Sequence, residues 1–117
     1  MGGRDPEELL PLSPAVFHVL LALADAERHG YGIIKEVEAR TEGRVRLGPG
    51  TLYGSIKRMI EEGLIEESDE RPDSALDDER RRYYRLTGFG RRVASAEAER
   101  LEGLVASARS KRLLSRA

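Results

Sequence analysis

The chain of 117 residues contains neither cysteine nor tryptophan, and only 5% of its residues are aromatic. Without cysteine, a disulfide framework and thiolate metal sites are excluded. The two histidines, His18 and His29, lie eleven positions apart and have no ligand-like partners beside them. No nucleophile–base pair emerges elsewhere, so we expect no cofactor, no metal and no catalytic residues, and an enzyme is the remote alternative.

The sequence also lacks long apolar runs. No stretch approaches the roughly 20 apolar residues that a membrane-spanning helix needs, and the first residues lack the basic and apolar blocks of a signal peptide. These absences predict a cytoplasmic protein with no membrane partner. Hydrophobic residues make up 39% of the chain and charged residues 35%, a balance typical of one folded domain at this length.

A basic excess is missing as well, since the formal net charge is -1. Most nucleic-acid-binding domains carry such an excess. In this chain, however, the charges are segregated: one basic block surrounds positions 44–58, a second spans positions 80–92, and acidic residues crowd positions 61–79. The two basic blocks are therefore compatible with a polyanionic partner despite the average charge.

The first half of the sequence has the periodicity of three helices. The first helix is predicted over residues 13–26, where Ser13 is placed to cap an almost wholly apolar run. The second is predicted over residues 31–41. The third is predicted over residues 49–62, where it begins at a Pro-Gly turn and is closed by Gly63.

The two histidines fall within and after the first predicted helix. Because His18 lies inside an apolar helix, we interpret it as a hydrogen-bonded core or interface residue rather than as a ligand. His29 precedes Gly30, and we expect it to end the first helix or to satisfy the last carbonyl groups of that helix.

After Gly63 the period changes to that of short strands. Residues 64–67 and 81–86 are typical of two strands joined by a long polar loop, which predicts a β-hairpin. Three helices followed by a hairpin predict a mainly α fold with a small β-hairpin, the winged helix-turn-helix. In that fold the third helix enters the major groove of DNA, and the hairpin, or wing, reaches along the DNA backbone.

The last part of the chain, residues 88–114, has a helical composition and an apolar stripe. A helix of about 25 residues is about 38 Å long, whereas a globule of this size has a radius of gyration of only about 13 Å. Its distal part must overhang the domain, and we expect a second copy of the chain to cover the stripe. The predicted homodimer interface comprises Leu9, Leu10, Val93, Leu101, Leu104, Val105 and Ala108. The chain thus divides into an N-terminal arm (1–10), a winged helix-turn-helix domain (11–87) and a dimerisation helix (88–117).

The third predicted helix has two different faces. The face expected to pack inward carries Leu52, Ile56, Met59 and Ile60. The other face is expected to approach base edges through Thr51, Ser55 and Arg58, while the flanking Tyr53 and Lys57 suit phosphate oxygens. With the helix N-terminus and the stem of the wing included, the predicted DNA-binding set is Pro49, Gly50, Thr51, Tyr53, Ser55, Lys57, Arg58, Arg80, Arg81 and Arg82.

Several motifs, in this order, resemble the PadR family of bacterial transcriptional regulators. They are Leu-Leu-Ala-Leu at 20–23, His-Gly-Tyr-Gly-Ile at 29–33, Pro-Gly-Thr-Leu-Tyr at 49–53, Glu-Glu-Gly-Leu-Ile at 61–65 and Arg-Tyr-Tyr-Arg-Leu-Thr at 82–87. The resemblance implies a winged-helix domain and a dimer formed through a single long C-terminal helix, as in the shorter type of the family. It also implies repression at a palindromic DNA operator, with release by a small-molecule effector of unknown identity or by another signal. Some relatives stack aromatic drugs on tryptophan, which this chain lacks.

A second hypothesis stays open, in which the chain is a winged-helix interaction module that dimerises but binds a protein. Its docking surface would be the acidic loop from Glu66 to Glu79, where Arg71 is the only basic residue. A DNA backbone would repel this loop. If the chain binds DNA, we therefore expect the loop tip to point away from it or to be disordered, leaving Arg80 to Arg82 to make the contact.

Overall fold

The fold is described from a computed structural model, which defines residues 4–68 and 82–115. The elements are a short 3-10 helix (Pro6–Leu9), α1 (Pro14–Leu23), β1 (Arg28–His29), α2 (Gly30–Arg40), α3 (Pro49–Glu61), β2 (Ile65–Glu67), β3 (Tyr83–Leu86) and α4 (Gly88–Ser110). The predicted fold class, mainly helical with a small β unit and a long C-terminal helix, is confirmed.

The sheet differs from the prediction in having a third strand. All of its pairings are antiparallel, and the strand order is β1-β3-β2. In β1, Arg28 pairs with Tyr84 and His29 pairs with Tyr83. A two-residue strand carries no periodic signal, so the sequence predicted only the hairpin of β2 and β3.

Helix α1 begins as predicted and ends earlier. The Ser13 hydroxyl accepts a hydrogen bond from the Val16 N–H at 3.2 Å and so caps the helix. The helix stops at Leu23, three residues before the predicted end, because the chain turns there to enter β1. The Arg28 guanidinium donates to the Ala22 carbonyl at 2.7 Å and satisfies one of the last carbonyl groups of the helix.

His29 does not end α1, contrary to the prediction. Its Nδ1 accepts a hydrogen bond from the Gly32 N–H at 2.9 Å, so His29 caps the start of α2. The predicted hydrogen bonding of His18 is confirmed, but the residue is half-buried and is not part of the core cluster. The Arg40 guanidinium lies 3.2 Å from His18 Nδ1 and donates to the His18 carbonyl at 3.2 Å.

The core lies between α1, α2, α3 and the first turns of α4. Its largest fully buried apolar side chains are Val19, Leu20, Ile33, Val37, Leu52, Met59, Leu64, Ile65 and Val93. Gly90, near the start of α4, lies against the backbone of Leu64, where a Cβ would sit 1.9 Å from the carbonyl oxygen. This close approach fixes the start of α4 against the end of α3.

Helix α4 leaves the domain after its first turns. Thr87 caps it by accepting from the Gly90 N–H at 2.9 Å, and its buried residues are Gly90, Val93 and Glu97. Beyond Glu97 every described residue is half-buried or exposed, so the distal part overhangs as predicted. The helix ends at Ser110, four residues before the predicted end, and Arg112 then adopts a positive φ of 64°. No helix within the described residues has both the length and the apolar character needed to cross a membrane.

Candidate nucleic-acid interface

The N-terminus of α3 is exposed and free of acidic side chains. Gly48 is the N-cap and, as a glycine, has no side chain that could cap the helix. Pro49 occupies the first turn. The Leu52 N–H makes the first helical bond, to the Gly48 carbonyl at 2.9 Å. The N–H groups of Gly50 and Thr51 therefore point out of the helix end, where they and the helix dipole favour an anion such as a phosphate.

Five exposed residues form a continuous strip that we call the outer face of α3: Gly50, Thr51, Gly54, Lys57 and Arg58. A Cβ at Gly50 or at Gly54 would have no atom of the described residues within 4 Å, so the middle of the strip is flat and open with respect to them. Lys57 and Arg58 add two positive charges at its end. This shape allows another macromolecule to approach the helix backbone closely. Gly54 was not predicted as a site residue, because it carries no side chain that indicates chemistry.

Ser55 does not belong to the outer face, which corrects the prediction that it approaches base edges with Thr51 and Arg58. The Ser55 side chain is buried, with 3% of the residue exposed. Successive residues of a helix are about 100° apart around its axis. Ser55 lies about 50° from the mean direction of the buried residues of α3, which are Leu52, Ser55, Ile56 and Met59, and Ile60 lies about 90° from it. Ile60 is accordingly 40% exposed, although it was predicted to pack inward.

Tyr53 connects α3 to the start of α2. A Cβ at Gly30 would lie 2.2 Å from the Tyr53 hydroxyl oxygen, so the phenol packs directly against this glycine. The residue remains 39% exposed. Part of the Tyr53 ring is therefore accessible beside the outer face. The hydroxyl end of the ring determines how closely α2 and α3 approach each other.

A second aromatic group, not predicted as part of the site, lies where α2 meets the wing. The ring of His29 is edge-on to Tyr83, with centroids 5.2 Å apart, and stacks on Tyr31 at 6.4 Å. Tyr31 is 60% exposed, and the Lys35 ammonium lies 5.5 Å from the centre of its ring. The signal in the sequence was the His-Gly-Tyr-Gly motif, in which His29 and Tyr31 flank Gly30, the glycine that Tyr53 contacts.

The described part of the wing carries paired charges. Arg82 lies 3.3 Å from Glu67, and Arg85 lies 2.8 Å from Glu66. Exposed pairs of this kind contribute only about 0–1 kcal/mol, so Arg82 can exchange a carboxylate for a phosphate at little cost. The predicted contacts by Arg80 and Arg81, and the predicted conformation of the acidic loop tip, lie outside the described residues.

His18 and Tyr84 have shifted pKa values, and neither belongs to the outer face of α3. Burial lowers the pKa of His18, and the Arg40 charge acts in the same direction. Burial raises the pKa of the Tyr84 phenol, as does the Glu67 carboxylate. Within residues 4–68 and 82–115, no cluster of three or more His, Asp or Glu side chains is arranged to hold a metal ion.

The residues predicted for dimerisation fall into two groups. Leu104 is 56% exposed and Val105 42%, while Leu101 and Ala108 are half-buried. Val93 instead belongs to the core, with 0% exposed, because it faces the helical domain before α4 overhangs. Leu9 and Leu10 pack against the core of their own chain and are half-buried there, so their contact with the long helix of a partner stays a prediction.

Three packed helices, an antiparallel wing and an exposed, basic third helix define a winged helix-turn-helix protein. The family model described as "Transcriptional regulator PadR-like family" matches residues 19–96. The chain belongs to this family, whose members are DNA-binding transcriptional regulators rather than enzymes.

The chain is also similar to individual proteins. The chain is 34% identical over 87 residues to the transcriptional regulator Rv3488 of Mycobacterium tuberculosis, a match covering 74% of this chain and 75% of that protein. It is 39% identical over 90 residues to an uncharacterised 37.1 kDa protein in transposon TN4556 of Streptomyces fradiae, but the match spans only 24% of that protein's length. A PadR family transcription regulator from Clostridium difficile has the same fold, with a TM-score of 0.68, 22% identity, and coverage of 84% of this chain and 97% of that one.

Proposed function

We propose that the chain is a sequence-specific transcriptional repressor that binds a palindromic DNA operator as a homodimer. The observation that carries this proposal is the outer face of α3. Its flat middle, its free N–H groups and its two cations lie on one exposed side of a helix whose other side is buried in the core. Such a helix fits the major groove, which is wide enough to admit it.

Within this face the side chains suit different contacts. Thr51 and Arg58 are placed to reach base edges, where Arg donates in a bidentate manner to guanine. Lys57 and the N–H groups of Gly50 and Thr51 suit phosphates, which set the register of the helix without reading the sequence. Tyr53 supports the same end of the helix through its contact with Gly30, and its exposed edge can reach a phosphate.

The wing supplies the second part of the proposed contact. Arg82 stands at its stem, and Arg80 and Arg81 precede it in the sequence. Because α3 contributes only two cations, we expect much of the salt-dependent affinity to come from these arginines. Arg82 lies 3.3 Å from the Glu67 carboxylate when DNA is absent, and we expect an approaching phosphate to displace this carboxylate.

The homodimer is supported by the overhanging half of α4. Leu104 and Val105 are exposed there on a helix that has left its own core. A second copy that covers them would remove this apolar surface from water. Two-fold symmetry would then present two α3 helices to successive major grooves, about 34–36 Å apart, and would match a palindromic operator. A dimer bound across a promoter excludes other proteins from it, which is the simplest route to repression.

Selection of bound fragments from random DNA tests this function. The full chain should enrich a palindrome whose half-sites are about 10 bp apart from centre to centre. A Leu104→Glu variant, if monomeric, should enrich single half-sites with much lower affinity. No enrichment of any sequence by the wild-type dimer would contradict the proposal and would favour the protein-interaction module instead.

A further inference from the structure

Glu97 is the last buried residue of α4 and the only carboxylate among the buried residues of that helix within the described part of the chain. Only 2% of it is exposed. Burying a carboxylate costs free energy unless hydrogen bonds compensate it, so an apolar residue would serve a simple packing role better. The position is notable for another reason, since it is the point where α4 leaves the domain.

Three hydrogen bonds hold the Glu97 carboxylate. The Leu12 N–H donates to Oε2 at 3.2 Å. Arg100 donates from Nε to Oε1 at 2.6 Å and from Nη2 to Oε2 at 3.0 Å. The Arg100 guanidinium holds the pKa of the carboxyl below its usual range, and the Leu12 N–H acts in the same direction against the effect of burial. The carboxylate is therefore ionised at neutral pH.

These hydrogen bonds join α4 to the start of α1. Leu12 directly precedes Ser13, the N-cap of α1. Helix α1 is the central helix of the core, and its buried side chains share one cluster with those of α3. Glu97 thus connects the overhanging helix to the element on which the DNA-binding helix is packed.

Packing leaves one side of this junction open. A groove of about 360 Å³ lies between the N-terminal 3-10 helix and α4, lined by Glu7, Leu10, Ala96, Glu99 and Arg100. Because no side chain of residues 4–68 and 82–115 fills it, van der Waals contacts within this part of the chain do not by themselves prevent α4 from rotating towards it. The directional hydrogen bonds of Glu97 resist that rotation.

We infer that Glu97 is a positioning residue that sets the angle between α4 and the helical core, and thereby the separation of the two α3 helices in the dimer. The inference rests on the proposed homodimer. The segment from Glu97 to Ser110 is about 20 Å long, so a rotation of about 10° moves its end by about 3.5 Å. That displacement is close to the rise of one DNA base pair, about 3.4 Å.

The absence of cysteine permits a direct test on the full chain. Thr51→Cys places a single thiol on the outer face of α3, and a spin label on it reports the distance between the two α3 helices of the free dimer. The wild-type background should give one narrow distance distribution. Glu97→Gln, which keeps an acceptor for Leu12 but loses the ionic bond to Arg100, should broaden the distribution or shift it by several ångströms.

Two further variants keep the test decisive. Glu99→Gln changes a neighbouring exposed carboxylate of α4 and should leave the distribution unchanged. Arg100→Lys keeps a positive charge beside the buried carboxylate but loses the paired hydrogen bonds of the guanidinium, so it retains the fold if Glu97→Gln does not, and it should broaden the distribution in the same way. A folded dimer in which Glu97→Gln and Arg100→Lys both give the wild-type distribution would overturn the inference, because a merely structural role changes stability and not this distance.

Binding to DNA separates this inference from the proposed function. The wild type should lose affinity for operators in which the spacing between half-sites is lengthened or shortened by one base pair. For Glu97→Gln this loss of affinity should be several-fold smaller. If the wild type binds no DNA sequence but the distances respond as described, the proposed function fails and the positioning role stands. A chain that is monomeric at labelling concentrations contradicts both the dimer and the inference.

Discussion

The hydroxyl end of Tyr53 occupies the space that a side chain at Gly30 would need. A Cβ there would lie 2.2 Å from the hydroxyl oxygen and 2.7 Å from the ring carbon that bears it. The start of α2 and the second turn of α3 are thus in contact through one phenol and one glycine. This contact lies beside the outer face of α3, so a change in it moves the residues proposed to bind DNA.

Gly30→Ala should lower the free energy of unfolding by about 1–2 kcal/mol, because the Tyr53 ring must turn out to make room. In a Tyr53→Ala background the same change should cost little, since the obstructing ring is absent. Urea denaturation of the two single variants and the double variant measures this coupling. Gly54→Ala is the matched control: nothing lies within 4 Å of its Cβ position, so it should be neutral or stabilising by about 0.5–1 kcal/mol. Equal costs of Gly30→Ala in both backgrounds would contradict the contact.

Gly90→Ala should be more damaging than Gly30→Ala, because its Cβ would meet backbone rather than the end of a side chain. The Leu64 carbonyl oxygen lies 1.9 Å from that Cβ position. We expect a loss of about 3 kcal/mol, the upper end of the usual cost of overpacking, measured by thermal or urea unfolding. Gly103→Ala, in the overhanging part of α4, should instead stabilise by about 0.5–1 kcal/mol. Similar effects at the two glycines would show that α4 does not start against Leu64.

His18 should make stability depend on pH in the mildly acidic range. Burial and the Arg40 charge lower its pKa below the usual 6.5, so the unfolded chain binds the proton more readily than the folded one. The stabilisation is therefore present above about pH 6.5 and is lost as the pH falls through and below that value. Melting temperatures of the wild type and His18→Gln between about pH 8 and pH 5 measure it. The amount by which the wild-type melting temperature exceeds that of His18→Gln should shrink as the pH falls. A difference that stays constant with pH would refute this assignment.

Leu104→Glu should shift the chain from dimer to monomer, because it places a charge on the apolar surface proposed to be buried between two copies. Analytical ultracentrifugation at micromolar concentrations would show the shift. Ala106→Glu introduces the same charge at another exposed position, about 200° around the helix from Leu104, and should leave the dimer intact. Dimerisation that survives Leu104→Glu, or is lost equally in both variants, would place the interface elsewhere.

The helices could be predicted from sequence because their ends carry local signals. Ser13 caps α1 through its own hydroxyl, and Gly63 ends α3 with a φ of 80°, a conformation that glycine adopts without strain. The wing, the long last helix and the exposed face of α3 followed from periodicity in the same way. These features depend on residues close to one another in the chain.

The features that sequence reasoning missed depend on distant residues. β1 exists only because Arg28 and His29 pair with Tyr84 and Tyr83, more than fifty positions away. Ser55 stands at the edge of its helical face, and the packing of α3 on the core decides that it is buried. In the sequence, Glu97 resembles the other polar residues of a solvated helix. Its hydrogen-bond partner Leu12 is 85 positions away in the chain. No local pattern distinguishes these cases from their exposed counterparts.

The central claim, that the outer face of α3 binds DNA, is tested most directly by the salt dependence of operator affinity for Lys57→Ala. Lys111→Ala, which removes the same charge at the exposed end of α4, serves as the control. We predict that Lys57→Ala weakens binding and reduces the slope of log affinity against log salt concentration by about one, while Lys111→Ala changes neither quantity. Wild-type affinity and slope in Lys57→Ala would contradict the claim.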